Sequence, residues 1–328
     1  MSNSRGLPAF WLKEHGLGQL LAPIGLLYGL IMRRRRQRYL EGRLPSLRLP
    51  IPVVVVGNIF VGGTGKTPLV IWLVEAARQL GYNPGVILRG YGGSSAGPVC
   101  VSHDSDPLMV GDEAVLIAQR AKCAVAIGKK RVAAAQLLID TVSPDIIISD
   151  DGLQHYALGR DVEIAVIDGE RGLGNRRCLP AGPLREPPDR LKGVDLVIAN
   201  GPSVPESQGQ FNLRTGALAP LVKEPNKAVP VSGDRVHAVA GIGNPQRFFN
   251  TLTQLGFDVI PHCFSDHHAF QPHDLQFEDN LAIVMTEKDA VKCRTFAPNN
   301  SWTLPVTAEP DSATKTQLMA LLASLQEK

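Results

Sequence analysis

Short apolar runs rich in β-branched residues alternate along this chain with segments of helical spacing. Val53–Val56, set between Pro52 and Gly57, is apolar on both faces and reads as a buried parallel strand. From Pro68 to Leu80 apolar residues recur at helical intervals, and the pattern stops at Gly81. Further strands are expected at Gly85–Leu88, Pro98–Val101, Ala124–Ile127, Ile146–Ser149, Glu163–Ile167 and Leu196–Ala199, with helices at about 112–121 and 130–140. Strands alternating with helices build βαβ units, so the expected fold class is α/β with a doubly wound parallel sheet. Residues 201–230 interrupt the rhythm with Pro202, Pro205, Pro220, Pro225 and Pro230. They read as a linker with a short hairpin around Phe211–Leu218. A second alternation follows: a strand at Val236–Ala240, a helix near 246–255, strands near 257–263, 281–286 and 302–306, and a terminal helix near 313–326. The expected division is an amino-terminal segment at 1–46, a core at 47–200, a linker at 201–232 and a second, smaller α/β lobe at 233–328. Ligand chemistry belongs between the lobes, outside the carboxyl ends of the strands.

The amino-terminal segment has a different pattern. Leu17 to Met32 carries no charge, and Arg33, Arg34, Arg35, Arg36 and Arg38 follow directly. A secretory signal would place its cations before the apolar run. The run is 16 residues long, shorter than the roughly 20 that cross a bilayer. Extension back to Leu7 takes in Lys13, Glu14 and His15, with Phe10 and Trp11 as interfacial aromatics. A short or tilted span and a helix lying in the interface, its arginines on anionic lipid, both fit; a buried helix followed by a solvated charge run is the plainer alternative. Either membrane reading keeps the body of the chain on the cytoplasmic side.

Composition sharpens this contrast. The chain has 328 residues, 44% of them hydrophobic and 20% charged, which excludes a disordered, collagenous or polytopic membrane protein. Net charge is +3, but the first 50 residues hold nine basic against two acidic side chains, leaving 25 against 29 in the remainder. The basic character therefore belongs to one end. No nucleic-acid reading module accompanies it, and no nucleic acid is expected as a partner. Five cysteines without a C-x-x-C pair argue against a disulfide framework or zinc ribbon; they read as small buried hydrophobes.

The clearest chemical signal runs from Gly57 to Pro68. A strand leads into Phe60-Val61-Gly62-Gly63-Thr64-Gly65-Lys66-Thr67, and a helix opens behind it. Glycines let backbone N–H groups approach phosphate oxygens, and the helix amino terminus adds partial positive charge. Lys66 would reach the β- and γ-phosphates, and Thr67 would hold Mg²⁺. The spelling is not strict, because Phe60 stands at the first glycine position. Asp150 and Asp151 end an apolar strand, where a nucleotide-hydrolysing or transferring enzyme needs an acid for its metal. Side chains alternate on an extended strand, so both acids need not face one ion. Asp112 at the start of a helix fits a capping residue or a general base for an acceptor hydroxyl. Arg131, after Lys129 and Lys130, fits a solvated charge run or a cation that stabilises the transferring phosphoryl group. His262, His267, His268 and His273 cluster around Asp266 without a zinc spacing; they fit loop residues or a proton relay.

The ordered set resembles the tetraacyldisaccharide 4′-kinase family, the lipid A 4′-kinases. The resemblance rests on Gly57-Asn58, Val61 to Pro68, Arg89-Gly90-Tyr91-Gly92, Gly111-Asp112-Glu113, Asp150 to His155, Gly174-Asn175, Leu179 to Glu186, Phe264 to His268 and Thr286 to Asp289. It implies an ATP- and Mg²⁺-dependent kinase acting on the 4′-hydroxyl of a tetraacyl glucosamine disaccharide 1-phosphate, a membrane lipid, to give lipid IVA. It implies a two-lobed phosphate-loop fold on the cytoplasmic face of the inner membrane. By the same resemblance Asp112 is the base and His267 its partner, Asp150 and Asp151 serve the metal or phosphate site, and Arg131 stabilises charge. A membrane-attached ATPase switch is the alternative enzyme class, and a nucleotide-sensing scaffold the non-enzyme one. A GTPase fits less well: Asn226-Lys227-Ala228-Val229 lacks the aspartate of a guanine-reading loop.

Overall fold

The computed structural model describes residues 8–13, 15–222 and 228–326. Leu7 and Glu14 of the extended apolar segment, and Pro225, Asn226 and Lys227 of the expected linker, lie outside these residues. Among the described residues two sheets form. The larger has nine strands, with β1 (Val53–Gly57) at its centre. β1 pairs in parallel with β5 (Ile146–Asp150) on one side and β6 (Val162–Asp168) on the other. Beyond β5 lie β2 (Pro84–Leu88), β4 (Ala124–Ile127) and an antiparallel edge strand, β3 (Val99–Val101). Beyond β6 lie β7 (Leu196–Asn200) and β8 (Gly209–Thr215), both parallel, and then antiparallel β14 (Val306–Pro310). The smaller sheet has the order β11 (Asp258–Cys263), β10 (Arg235–Ala240), β12 (Ala282–Thr286), β13 (Ser301–Leu304) and β9 (Ala219–Pro220), with only β9 antiparallel.

The alternation of side chains along β1 explains why both faces are apolar. Val54 and Val56 pack beneath α3 (Lys66–Gln79), α5 (Asp112–Ala121) and α9 (Ser312–Ala323). Val53 and Val55 pack on the other face with Ala134 and Leu138 of α6 (Arg131–Val142). In the smaller lobe α7 (Pro245–Gln254) covers one face through Phe248, Phe249 and Leu252. α8 (Glu287–Cys293) covers the other with Ala290 and Cys293. A one-turn α4 (Pro107–Val110) precedes α5.

The structure corrects four expectations. The expected hairpin near Phe211–Leu218 does not form: β8 joins the large sheet and β9 the small one. The expected strand near 302–306 is two strands, because Pro305 breaks it. β13 stays in the small sheet and β14 returns to the large one. α9 follows β14 and buries Leu318 and Leu322 in the large core, so the chain end belongs with the larger sheet rather than with a lobe at 233–328. The cysteines are all free, but Cys100 is exposed, contrary to the buried reading.

The amino-terminal run divides into α1 (Leu17–Leu20) and α2 (Ala22–Leu40). α2 presents Gly25 and Gly29 to the 178–187 segment. A Cβ at Gly25 would lie 2.7 Å from the Ala181 Cβ, so only glycine allows this approach. Arg33 pairs with Asp189 at 2.8 Å, and Arg35 donates to the Gln154 carbonyl at 3.2 Å. Leu20, Ile24, Leu26, Leu27, Leu30 and Ile31 face outward, Leu20 being 77% exposed. Among the described residues no helix is long and apolar enough to cross a membrane, so the spanning reading finds no support there.

Leu318→Ala is expected to lower stability by about 2–5 kcal/mol, because it opens a cavity under the large sheet. Urea unfolding measures this; a change below about 1 kcal/mol would remove α9 from that core.

Candidate active site

The carboxyl ends of β1, β5, β6 and β7 open into a cleft of about 860 Å³ between the two lobes. The loop from β1 to α3 forms its floor. Gly62 and Gly65 have φ of +101° and +77°, and a Cβ at Gly65 would collide with the Asn200 side chain 2.2 Å away. Asn58 braces the loop from inside, donating to the Gly62 carbonyl and the Thr64 hydroxyl, both at 3.2 Å. Asn200 donates to the Thr64 carbonyl at 3.1 Å, and Arg171, paired with Asp168 at 2.7 Å, donates to the Gly63 carbonyl. Val61 to Thr67 line the cleft. Phe60 does not. Its side chain is buried at 3% exposure under the Arg171 guanidinium, 5.1 Å from its ring. The Val61 amide is already used by the Pro183 carbonyl at 2.9 Å. The amides free for an anion therefore lie later in the loop than the motif suggests. Asp168, Arg171 and Asn200 were missed in the sequence. Their only signal was position at or just after the carboxyl ends of β6 and β7, on one side of β1.

Lys66 opens α3 and pairs with Asp151 at 3.3 Å; Arg185 holds the other Asp151 oxygen at 2.8 Å. β5 ends at Asp150, and Asp151 turns into the left-handed region at φ +49°. This turn ends the strand alternation, so both acids line the same cleft. Burial raises the Asp151 carboxyl, but Lys66 and Arg185 outweigh it and hold the group well below the usual range. Asp150 goes the other way. Burial, then the neighbouring Glu113, push it up to about 7, with Asp151 adding to them and Lys66 and Arg131 opposing. Its Oδ1 is buried without a hydrogen-bond partner. Arg131, 3% exposed at the start of α6, donates to the Gly128 and Asp150 carbonyls at 3.0 and 3.3 Å. Its burial brings the guanidinium down to about 10. Arg131 is thus a buried cation beside the acids, not part of a solvated run. His155, deeper in the cleft, is lowered to about 4 by burial and by Arg131 and Arg89, so it is neutral at pH 7.

Asp112 meets His267 across the lobes. His267 Nδ1 lies 3.2 and 3.1 Å from the two Asp112 oxygens. His267 has φ +58° and packs on Tyr91 at 4.7 Å between ring centres. Besides the His267 ring, the Asp112 side chain accepts from the amide of its neighbour Glu113 at 2.8 Å, which is not the usual reach of a helix cap. Burial opposes its ionisation, but the His267 hydrogen bond and the charges of Lys288 and Lys292 prevail and lower its pKa. His267, Glu113 and Lys288 line the cleft, with Asp112 directly behind His267. The other clustered histidines are not brought here. His262 bonds His237 at 2.9 Å, His268 bonds Asp274 at 3.0 Å, and His273 is exposed. Asn175 is structural, donating to the Phe10 and Ala181 carbonyls.

A parallel sheet whose strand ends gather a glycine loop, a lysine, paired acids and an acid–histidine pair is built as α/β phosphotransferases are. The chain belongs to the tetraacyldisaccharide-1-P 4′-kinase family, whose model matches residues 17–323. It is 53% identical over 323 residues to the tetraacyldisaccharide 4′-kinase of Alkalilimnicola ehrlichii, covering 97% of each chain. It is 48% identical to the one from Halorhodospira halophila over 325 residues, 98% of each. A crystal structure of LpxK from Aquifex aeolicus in complex with ATP matches with TM-score 0.77 and 26% identity, over 94% of this chain and 99% of that one.

The raised Asp150 pKa has a measurable sign. The unfolded chain releases this proton near 3.8 and the folded chain near 7, so ionisation costs stability as pH rises through that interval. Asp150→Asn removes the cost. In metal-free protein at pH 8 its Tm is expected above the parent's, and the gain should shrink as pH falls towards 4. A gain independent of pH would contradict a carboxyl held protonated by burial.

Proposed function

We propose that this chain transfers the γ-phosphoryl group of ATP to the 4′-hydroxyl of a tetraacyl glucosamine disaccharide 1-phosphate, giving lipid IVA, at the cytoplasmic face of the inner membrane. The observation that carries this reading is one cleft lined by both Lys66 and His267, with Asp112 bonded to that histidine, in a chain of this family. The bond between the γ-phosphorus and the β,γ-bridging oxygen breaks, a bond to O4′ forms, and the hydroxyl proton passes to Asp112. Lys66 and the amides from Gly62 to Thr67 take the phosphate chain. On binding it, Lys66 exchanges part of its Asp151 contact for phosphate oxygens. Arg131 supplies fixed positive charge without moving, since two backbone carbonyls already orient it.

The acids fit a divalent cation. Asp150 carries a buried oxygen with no partner, and Glu113 beside it makes the pocket too negative to leave both acids ionised. Among the described residues no three acid, histidine or cysteine side chains form a ready cage. That suits Mg²⁺, which keeps waters and shares its shell with phosphate oxygens, here beside Asp150, Asp151 and Thr67. The ion supplies charge neutralisation when bound.

The outward leucines of α2 and the exposed Arg34 and Arg38 suit an interfacial helix on anionic lipid. Tyr28, Met32 and Arg35 of the same helix line the cleft, so the surface that meets lipid also forms a wall of the site. The ATPase-switch alternative leaves this shared wall and the Asp112–His267 pair without a task.

Transfer of labelled phosphate from ATP to the disaccharide lipid tests the proposal; lipid-independent ADP release would favour the switch. Lys66→Ala is expected to lower transfer by at least about a thousandfold with vesicle binding unchanged, measured by product formation and flotation. Removing residues 1–32 would strip Tyr28 and Met32 from the cleft, so the membrane role is better tested by Leu26→Gln, Leu27→Gln and Leu30→Gln together. That variant is expected to bind anionic vesicles about a hundredfold more weakly while keeping ATP affinity. Unaltered flotation would refute the interfacial helix.

A further inference from the structure

We propose that Lys288 is a positioning residue that locks the His267 imidazole in the form carrying its proton on Nδ1. Lys288 Nζ lies 3.2 Å from His267 Nε2, 3.2 Å from Glu113 Oε1 and 3.3 Å from Asp266 Oδ1. An ammonium has three hydrogens and no lone pair, and here three acceptor positions surround it. Burial works against the charge, but Glu113, Asp112 and Asp266 more than offset it and raise the lysine above its ordinary value. Nζ therefore stays protonated and donates.

The direction of the remaining bonds follows. If Nζ donates to Nε2, Nε2 presents its lone pair. The single ring proton of the neutral imidazole is then on Nδ1, pointing between the two Asp112 oxygens at 3.2 and 3.1 Å. The opposite form would set an N–H against the ammonium at one end and a lone pair against a carboxylate at the other. An imidazolium would keep the first of these two repulsions. Lys292, 3.6 Å from Asp112 and 2.8 Å from Asp289, adds positive charge on the far side and donates nothing to the ring. Tyr91 packs against the ring face. Lys288, His267 and Asp112 thus form a directed chain of donors that ends on the carboxylate.

The catalytic meaning rests on the phosphoryl-transfer reading above. Asp112 receives an N–H from the ring and keeps lone pairs for the acceptor hydroxyl, while Nε2 is engaged by Lys288. Lys288 touches neither nucleotide nor acceptor in this scheme; it acts through His267. Its sequence neighbours, Thr286 and Asp289, are bonded to each other at 2.6 Å, which fixes the turn that aims Lys288.

The test is nitrogen NMR of the full-length, ¹⁵N-histidine-labelled protein without substrate. The chain has eight histidines, and the His267 signals are those absent from His267→Gln. The parent is expected to show a protonated Nδ1 and an unprotonated Nε2. A protonated Nε2 in the parent would overturn the proposal. Lys288→Met keeps the length of the side chain and removes the donor. It is expected to admit the Nε2–H form and to lower kcat by about ten- to a hundredfold, with KM for ATP within about twofold. Lys288→Arg, which keeps a donor, should retain the Nδ1–H form. Retention of that form with parental kcat in Lys288→Met would also overturn it. Should Lys288→Met fail to fold, the parent spectrum alone decides. The spectrum needs no substrate, so absence of lipid phosphorylation would sink the proposed function and leave the tautomer assignment standing.

Discussion

Three carboxylates gather at one cleft, Asp150 buried and Asp151 half-buried in its wall and Asp112 buried behind His267, and the site is arranged around the cost of keeping them there. An isolated buried carboxylate would take up a proton rather than stay charged. Each acid meets this constraint differently. Asp151 is matched by Lys66 and Arg185, Asp112 by His267 with two lysines behind it, and Asp150 is left facing Glu113 with an unsatisfied oxygen. The first two are held ionised, and the third is the place where a cation has most to gain. The same constraint bears on the buried Arg131, whose own desolvation is only partly offset by Asp151 and Asp150 beside it.

These groups come together because of the crossovers of the large sheet. β1 is central, and β5, β6 and β7 all run parallel to it, so Lys66, Asp150, Asp151, Asp168 and Asn200 project from one edge. The smaller lobe closes the other side. Arg247 of α7 reaches Asn200 at 3.3 Å, and His267 reaches Asp112, so contacts of the smaller lobe touch the brace of the glycine loop and the Asp112 carboxylate in the same arrangement. A movement between lobes would alter both contacts together.

α2 links this cleft to the outside. Its glycine face permits backbone-close packing on the 178–187 segment, and its leucines are left largely exposed. Tyr156 beneath it donates to Glu186 at 2.7 Å and accepts from Arg190 at 3.0 Å, a buried network that fixes the surface on which α2 rests. The helix that carries the arginines is thus rigidly tied to the wall of the site.

Much of this was written in local pattern. Continuous β-branched runs specify strands buried on both faces, and glycine spacing before Lys66 specifies a turn that an L side chain would obstruct. Both depend on neighbours within a few residues, so the parallel sheet, the glycine loop and the acids ending β5 were legible from order alone. The partner of Asp112 followed from the family resemblance and not from spacing, because His267 and His268 are adjacent and spacing treats them alike; the left-handed backbone at His267 turns that ring into the cleft and sends His268 to Asp274. Nor could periodicity show that Pro305 divides one apparent strand between two sheets, or that Phe60 points into the core. Those outcomes depend on contacts between residues more than about ninety positions apart, which only the packed tertiary structure brings within reach.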